Sequence, residues 1–279
     1  SKSRFQDSCL EEYSEIFSTV CVDASYYRFP SEKHLATLAE KVPSTFRFAH
    51  KVTDSITIKN FPALKRHGKF AGLANPCYLN SDIFLKSFLS PLAPHREQTG
   101  LIIFEFSHFY PRDYRYGREF VSDLDSFLAT LPTKEWDFGV EIRNASLLQK
   151  PYFDTLERHS VAHVYNQWQR MPDLADQLKL HWPNPENSPT GCRLLLKRGR
   201  NYNRAVESFA PYDQTKEVQE NVRHASASLI RDRKEKASGR RTYIYANNRL
   251  EGNALATIEA ILALVDNQDL STLPPEASP

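Results

Sequence analysis

Hydrophobic spacing along this chain keeps switching between a period of two and a period of three to four, and that alternation leaves few folds open. Residues 19–24 (TVCVDA), 46–52 (FRFAHKV), 100–106 (GLIIFEF) and 138–143 (FGVEIR) have strand character. So do 161–166 (VAHVYN), 192–197 (CRLLLK) and 242–247 (TYIYAN). Helical stripes lie between them. Ser31 is placed to cap one helix with Leu35, Leu38, Ala39 and Val42 on a single side, and Ser81 another with Phe84, Phe88 and Leu92. Further stripes are Phe120, Leu124, Phe127 and Leu131; Val218, Val222, Ala225 and Leu229; and Ile258, Ile261, Leu262 and Val265. An opening helix is expected near 8–17. Apolar strands alternating strictly with helices predict a parallel sheet covered by helices.

Two α/β architectures meet that description, an open doubly wound sheet and a closed (β/α)8 barrel. No G-x-G-x-x-G follows the first strand, so nothing favours a dinucleotide fold. The reading adopted is a TIM-type barrel in which seven strand–helix units are visible and the first strand is missing from this chain. It is expected as one domain over 1–266, with 58–99 an elaborated insertion containing Pro62, Pro76, Pro91 and Pro94, and 267–279 a disordered polar tail.

Bulk properties remove several function classes. A formal charge of +2, with 25% charged and 41% hydrophobic residues, is too balanced to mark a nucleic-acid or membrane surface. Cys9, Cys21, Cys77 and Cys192 are widely spaced and form no CxxC pair, which argues against a zinc ribbon or disulfide framework and for a reducing cytoplasm. The apolar runs are too short to cross a bilayer. No secretory leader opens the sequence. The sequence carries no signal of an oligomeric state.

Successive strand residues point to opposite faces, so each strand splits into two. The face assigned to the barrel interior begins apolar, with Leu101, Ile103, Gly139, Ala162 and Leu195, and ends polar. Its ends are Cys21 and Asp23, Lys51, Glu105, Glu141 and Arg143, Asn166, Lys197 and Asn247, while Arg47 and Arg193 stand near strand starts. A packed floor with a site at the carboxyl-terminal mouth gives this distribution. Glu141 and Arg143 are therefore expected in a shared cluster with Lys51 and Glu105, because isolated buried charges are costly. The structural reading of the same cluster is an ion network tying strands together.

Two carboxylates beside a lysine and an arginine suit proton transfer, since neighbouring charges separate the acid from the base. Lys51 fits an electrostatic anchor better than a Schiff-base former, because adjacent acids raise its pKa. His50 and His163 fall on the outward face, and a metal site would not gather cations among its ligands, so no metal and no cofactor are expected. Cys21 reads as a small core residue. Three loops add a second signal: 108–118 (HFYPRDYRYGR), 197–204 (KRGRNYNR, with Arg200) and 247–253 (NNRLEGN). Glycine beside arginine permits close approach to an anion, and barrel phosphate sites often follow the last strands. The basic run 231–241 is assigned to a solvated helix end on the opposite face.

With these strands placed, the sequence resembles the YecE-like family, domain of unknown function seventy-two, through FSTVCVDASYYRFPSEK, TFRFAHKV, GLIIFEFS, FGVEIRNAS and YIYANNRLEGNA. The resemblance implies a TIM barrel. It maps the family's strand-end lysine to Lys51, its Glu-x-Arg to Glu141 and Arg143, its asparagine pair to Asn247 and Asn248, and its Tyr-x-x-Pro turn to Tyr27 and Pro30. The family usually carries Glu at Cys21, Asn at Asp23 and Gln at Glu105, and an Arg-x-His-Gly strand end where this chain reads LLLKRGR. A tryptophan of the family stands near Leu147, and its glycine-rich first strand has no counterpart here. The family has no settled activity.

The leading functional expectation is an acid–base enzyme, of lyase, isomerase or hydrolase type, on a small anionic, phosphorylated or sugar-like ligand. Glu141 and Glu105 would transfer protons and Lys51 would hold charge. Arg143, Asp23, Tyr27, Asn166, Lys197, Arg200, Asn247 and Asn248 would contact the substrate. On that reading Glu141→Gln removes turnover and leaves stability within about 1 kcal/mol. The alternatives are a nucleic-acid-binding or processing protein, by analogy with barrel-shaped repair nucleases, and a non-catalytic binding protein.

Overall fold

The computed structural model describes residues 2–183, 188–235 and 241–266. The tail expected at 267–279 and part of the basic run, 236–240, lie outside them. Helix α1 (Lys2–Ile16) leads into seven parallel strands that neighbour one another in chain order. They are β1 (Thr19–Val22), β2 (Arg47–Lys51), β3 (Thr99–Phe106), β4 (Phe138–Ile142), β5 (Ala162–Gln167), β6 (Thr190–Leu194) and β7 (Thr242–Ala246). Helices α2 (Glu32–Glu40), α3 (Gly117–Leu128), α4 (Lys150–Arg158) and α5 (Leu174–Leu180) cover successive strands. They are followed by α6 (Tyr202–Phe209), α7 (Glu220–Glu235) and α8 (Ala254–Asp266). The result is a nearly closed TIM-like barrel.

The barrel stays open between β1 and β7, as a missing first strand requires. These two strands share no ladder; the Thr19 Oγ1 and Tyr245 hydroxyls meet across the gap at 3.1 Å. Every residue of β4, β5 and β6 is buried, whereas all of β1 is half-buried. A cavity of about 550 Å³ occupies the gap, reaching from Tyr13, Phe17 and Leu262 on the helix side to Cys21, Asp23 and Arg193 inside.

Inside the barrel, Ala49, Leu101, Ile103, Ala162, Val164 and Tyr243 form the floor. Gly139 and Gly191 complete that layer because it has no room for more: a Cβ at either would stand 2.6 Å from a methyl group of Val164 or Leu101. Between sheet and helices, Phe84, Phe104, Phe127 and Phe138 pack with ring centroids 5.1–6.1 Å apart. Each such buried ring contributes roughly 1.5–3 kcal/mol relative to exposure.

Several local expectations are corrected. Asn80, not Ser81, accepts the Ile83 N–H at 2.9 Å and starts the helical run over 81–98, because it is Asn80 that has extended backbone and a side-chain oxygen three residues ahead of that N–H. Residues 58–80, ahead of that run, form short turns closed by an Asn60–Ala74 bridge. β6 begins at Thr190 and ends at Leu194, two or three residues earlier than 192–197. Lys197 therefore lies beyond the strand and does not close its inward face.

Candidate functional site

The register sets the height of each strand end. Glu105 pairs with Glu141 across β3 and β4, and Asn166 with Arg193 across β5 and β6. With Lys51 at the end of β2 and Asp23 just past β1, the charged side chains converge at the carboxyl-terminal mouth. Arg143 Nη2 lies 2.6 Å from Glu141 Oε1 and 3.4 Å from Glu105 Oε2. Arg193 Nη1 lies 2.6 Å from Glu141 Oε2 and 2.7 Å from Glu105 Oε2. Lys51 Nζ donates to Glu105 Oε2 at 2.9 Å. Asp23 is held loosely, 3.5 Å from Lys51 and 3.7 Å from Arg193.

Three cations (Lys51, Arg143, Arg193) thus face three carboxylates (Asp23, Glu105, Glu141), and the formal charges cancel. Exposure is graded from bottom to top. The Glu141 side chain is 0% exposed, Arg143 and Arg193 7%, Lys51 10%, Glu105 12% and Asp23 65%. Arg193 Nη1 donates hydrogen bonds to both glutamates, while Arg143 holds Glu141 Oε1 by charge alone, since that oxygen and Arg193 Nε are buried without a hydrogen-bond partner.

The electrostatics follow from these contacts. Burial alone would raise the Glu105 carboxyl, but Arg143, Arg193 and Lys51 together hold it well below the usual carboxylate range. Burial opposes the Lys51 charge, yet Glu105 and Asp23 outweigh it and the ammonium is held more firmly than usual. Lys51 is therefore poorly suited to a Schiff base, which needs a free amine. Burial likewise opposes the Arg193 charge and is overcome by Glu141 and Glu105. The Cys21 thiol is pushed up to about 12, chiefly by burial, and stays protonated at neutral pH.

Two aromatic rings back the cations. Arg143 lies 4.4 Å from the Trp168 ring and Lys51 Nζ 4.1 Å from the Tyr26 ring. Asn166 accepts from Arg143 Nη1 at 3.4 Å and donates to the Ile142 carbonyl at 3.2 Å, which ties it to the cluster. Asn247 lines the cavity beside Asp23 and Arg193, but its side-chain oxygen accepts from the Arg249 N–H at 3.0 Å and caps a helical turn. Asn248 is given to a similar turn, accepting from the Ala254 N–H at 2.8 Å. Tyr27 is 64% exposed and rests against Tyr26 and Arg66.

Lys197 and Arg200 are not among the cluster's ion pairs. Both contact Glu217, Lys197 at 2.5 Å, in a separate group on the loop before α7. The residue missed by sequence reasoning is Arg193. Its inward parity is legible in the sequence, but a strand begun at Cys192 puts Arg193 near the strand start, whereas β6 begins two residues earlier, at Thr190, with Gly191 a strand residue kept small by Leu101. Trp168, two residues beyond the inward Asn166, was within reach of the same parity argument.

The described residues hold no group of three or more His, Cys, Asp or Glu side chains placed to share a metal ion. His50 and His163 point away from the mouth and are buried under the helices, His163 against the Tyr152 hydroxyl at 3.0 Å.

A parallel, nearly closed β/α barrel with charged side chains gathered at its carboxyl-terminal mouth defines the TIM-barrel class. Within that class the chain belongs to the family described as "Protein of unknown function DUF72", whose model matches residues 2–279. A DUF72 family protein from Enterococcus faecalis is 17% identical, with a TM-score of 0.64 over 97% of this chain and 92% of that one. Another, from Thermotoga maritima, is 18% identical, with a TM-score of 0.57 over 92% and 87%. At these identities the likeness concerns the fold. No curated protein matches the chain. Among the described residues no helix is long and apolar enough to cross a membrane.

Proposed function

We propose that the mouth binds a small anionic substrate, a carboxylate or phosphate, against Lys51 and Arg193, and that Asp23 carries the proton transfer there. The observation that supports this reading is the contrast between Asp23 and the other two acids. Glu105 and Glu141 are tightly held between buried cations, while Asp23 is solvent-accessible and more than 3.4 Å from both of its partners. A substrate anion that displaces Asp23 meets an inner group of three cations and two carboxylates, net +1. The displaced carboxylate then stands beside the bound substrate and is free to accept or return a proton.

In this scheme Glu141 and Glu105 move from proton carriers to counter-charges. Glu141 sits beneath two guanidinium groups with no path to substrate, and Glu105 is stabilised as a carboxylate. Lys51 and Arg193 supply the fixed positive field, and Arg143 is positioned through Asn166 and Trp168.

A thermal-shift screen of anionic metabolites on the whole chain tests the proposal. A binder present at about a hundred times its dissociation constant adds roughly 2.7 kcal/mol of stability, a shift of several degrees. The shift is expected to vanish in Lys51→Met and to persist in Asp23→Asn, which loses turnover alone. Anions that leave the melting temperature unchanged, or that stabilise Lys51→Met equally, would favour the purely structural ion network.

A further inference from the structure

The loop after β3 and the segment after β4 enclose a second cavity of about 480 Å³, outside the charged mouth. None of Lys51, Glu105, Glu141, Arg143 and Arg193 lines it. Its floor is apolar, formed by Phe109, Phe120 and Leu147, and its rim is aromatic and basic. Tyr116 and Tyr110, 45% and 51% exposed, stand at that rim.

Two guanidinium groups lie on the one Tyr116 ring, Arg118 at 4.6 Å and Arg115 at 5.3 Å from its centroid. Both line the cavity, and among the described residues neither has a carboxylate within 4.0 Å. The acids nearest in sequence are engaged elsewhere: Asp113 accepts from Asn60 Nδ2 and the Tyr110 N–H, both at 2.7 Å, and Glu119 accepts from the backbone N–H groups of Arg115 and Tyr116 at 2.9 and 3.1 Å, where it completes the start of α3. Two like charges thus share a half-exposed ring without a counter-ion. An anion bound between them relieves that repulsion and keeps the cation–π contacts.

Apolar and aromatic walls with a paired cationic rim suit a ligand that has a planar face and an anionic end. The cavity is in the size range of single-ligand pockets. A nucleic-acid strand instead needs a groove that tracks several phosphates. We propose that this cavity binds a mononucleotide, its base against the tyrosine wall and its phosphate between Arg115 and Arg118. The site is independent of the reading given for the mouth.

Calorimetric titration of the whole chain with adenosine monophosphate tests it, with adenosine, inorganic phosphate and a thymidine decamer as comparisons. The nucleotide is expected to bind roughly tenfold or more tightly than either adenosine or phosphate, a step of about 1.4 kcal/mol per tenfold. The double variant Arg115→Ala, Arg118→Ala is expected to lose that affinity, while Lys51→Met keeps it. Both arginines are exposed, so the double variant is expected to fold, which its circular dichroism and melting curve check. No nucleotide binding, binding indifferent to the two arginines, or binding lost in Lys51→Met overturns the proposal. Phosphate as tight as the nucleotide removes the role of the ring. A decamer that outcompetes the nucleotide with a steep salt dependence replaces it with strand binding.

Discussion

Arg193 Nη1 lies 2.6 Å from Glu141 Oε2, so a guanidinium on β6 closes on a carboxylate of β4, with β5 between them. The same nitrogen is 2.7 Å from Glu105 on β3. One side chain thereby joins three strands at the level of the mouth. Arg193→Leu leaves two acids short of a partner in a desolvated site and is expected to cost about 3–5 kcal/mol in urea unfolding. Glu141→Gln is expected to be similarly severe, because the acid is fully buried between two guanidinium groups; this replaces the sequence-based expectation of a near-neutral change. The double variant should cost clearly less than the sum, which a double-mutant cycle measures.

Asp23 presents the opposite case. Its side chain is 65% exposed and its ion pairs are long and open to solvent, so they add little to stability. Asp23→Asn is expected to leave the urea midpoint within about 0.5 kcal/mol of the parent and to abolish turnover of any substrate the anion screen yields. A variant that unfolds early, or one that turns over normally, would contradict the assignment.

Acid should weaken the fold well before it reaches the carboxylates. Burial pushes His50 down to about 4 and His163 down to about 3. In the unfolded chain both titrate near 6.5, so below that pH the unfolded state takes up protons the folded state refuses. Stability is complete above about pH 6.5 and falls as pH drops, by roughly 2 kcal/mol for each histidine at pH 5. Glu105, lowered in the folded state, adds its own loss as pH falls through the ordinary carboxylate range and below it, where the unfolded chain takes up the proton first. Urea midpoints at pH 8, 7, 6 and 5 check the order; a flat profile from 7 to 5 would show that these imidazoles are not held neutral.

The barrel floor offers a packing test remote from any charge. A methyl group at Gly139 would lie 2.6 Å from Val164 Cγ2 and 3.2 Å from Leu101 Cδ1. Gly139→Ala is therefore expected to cost about 1–3 kcal/mol through overpacking. Adding Val164→Ala should recover part of it, because the displaced methyl is the one removed. Equal instability of single and double variants would place the strain elsewhere.

The sequence by itself determined the periodicity, hence the seven strands, their parallel order and the helices that cover them. It also determined which face of each strand turns inward, and so named Lys51, Glu105, Glu141 and Arg143 as neighbours. Parity is local, so it can be read without contacts. Height along a strand is not local. Arg193 joins the cluster because β6 starts at Thr190 rather than Cys192, with Gly191 a strand residue beneath Leu101, which puts Arg193 level with Asn166. Lys197 and Arg200 left it because the chain departs the sheet after Leu194 and gives them to Glu217. Tertiary structure alone also separated the buried acids from Asp23, since burial depends on what neighbouring strands and helices cover. Alternation is written into consecutive residues, but depth and pairing arise only when distant segments close on one another.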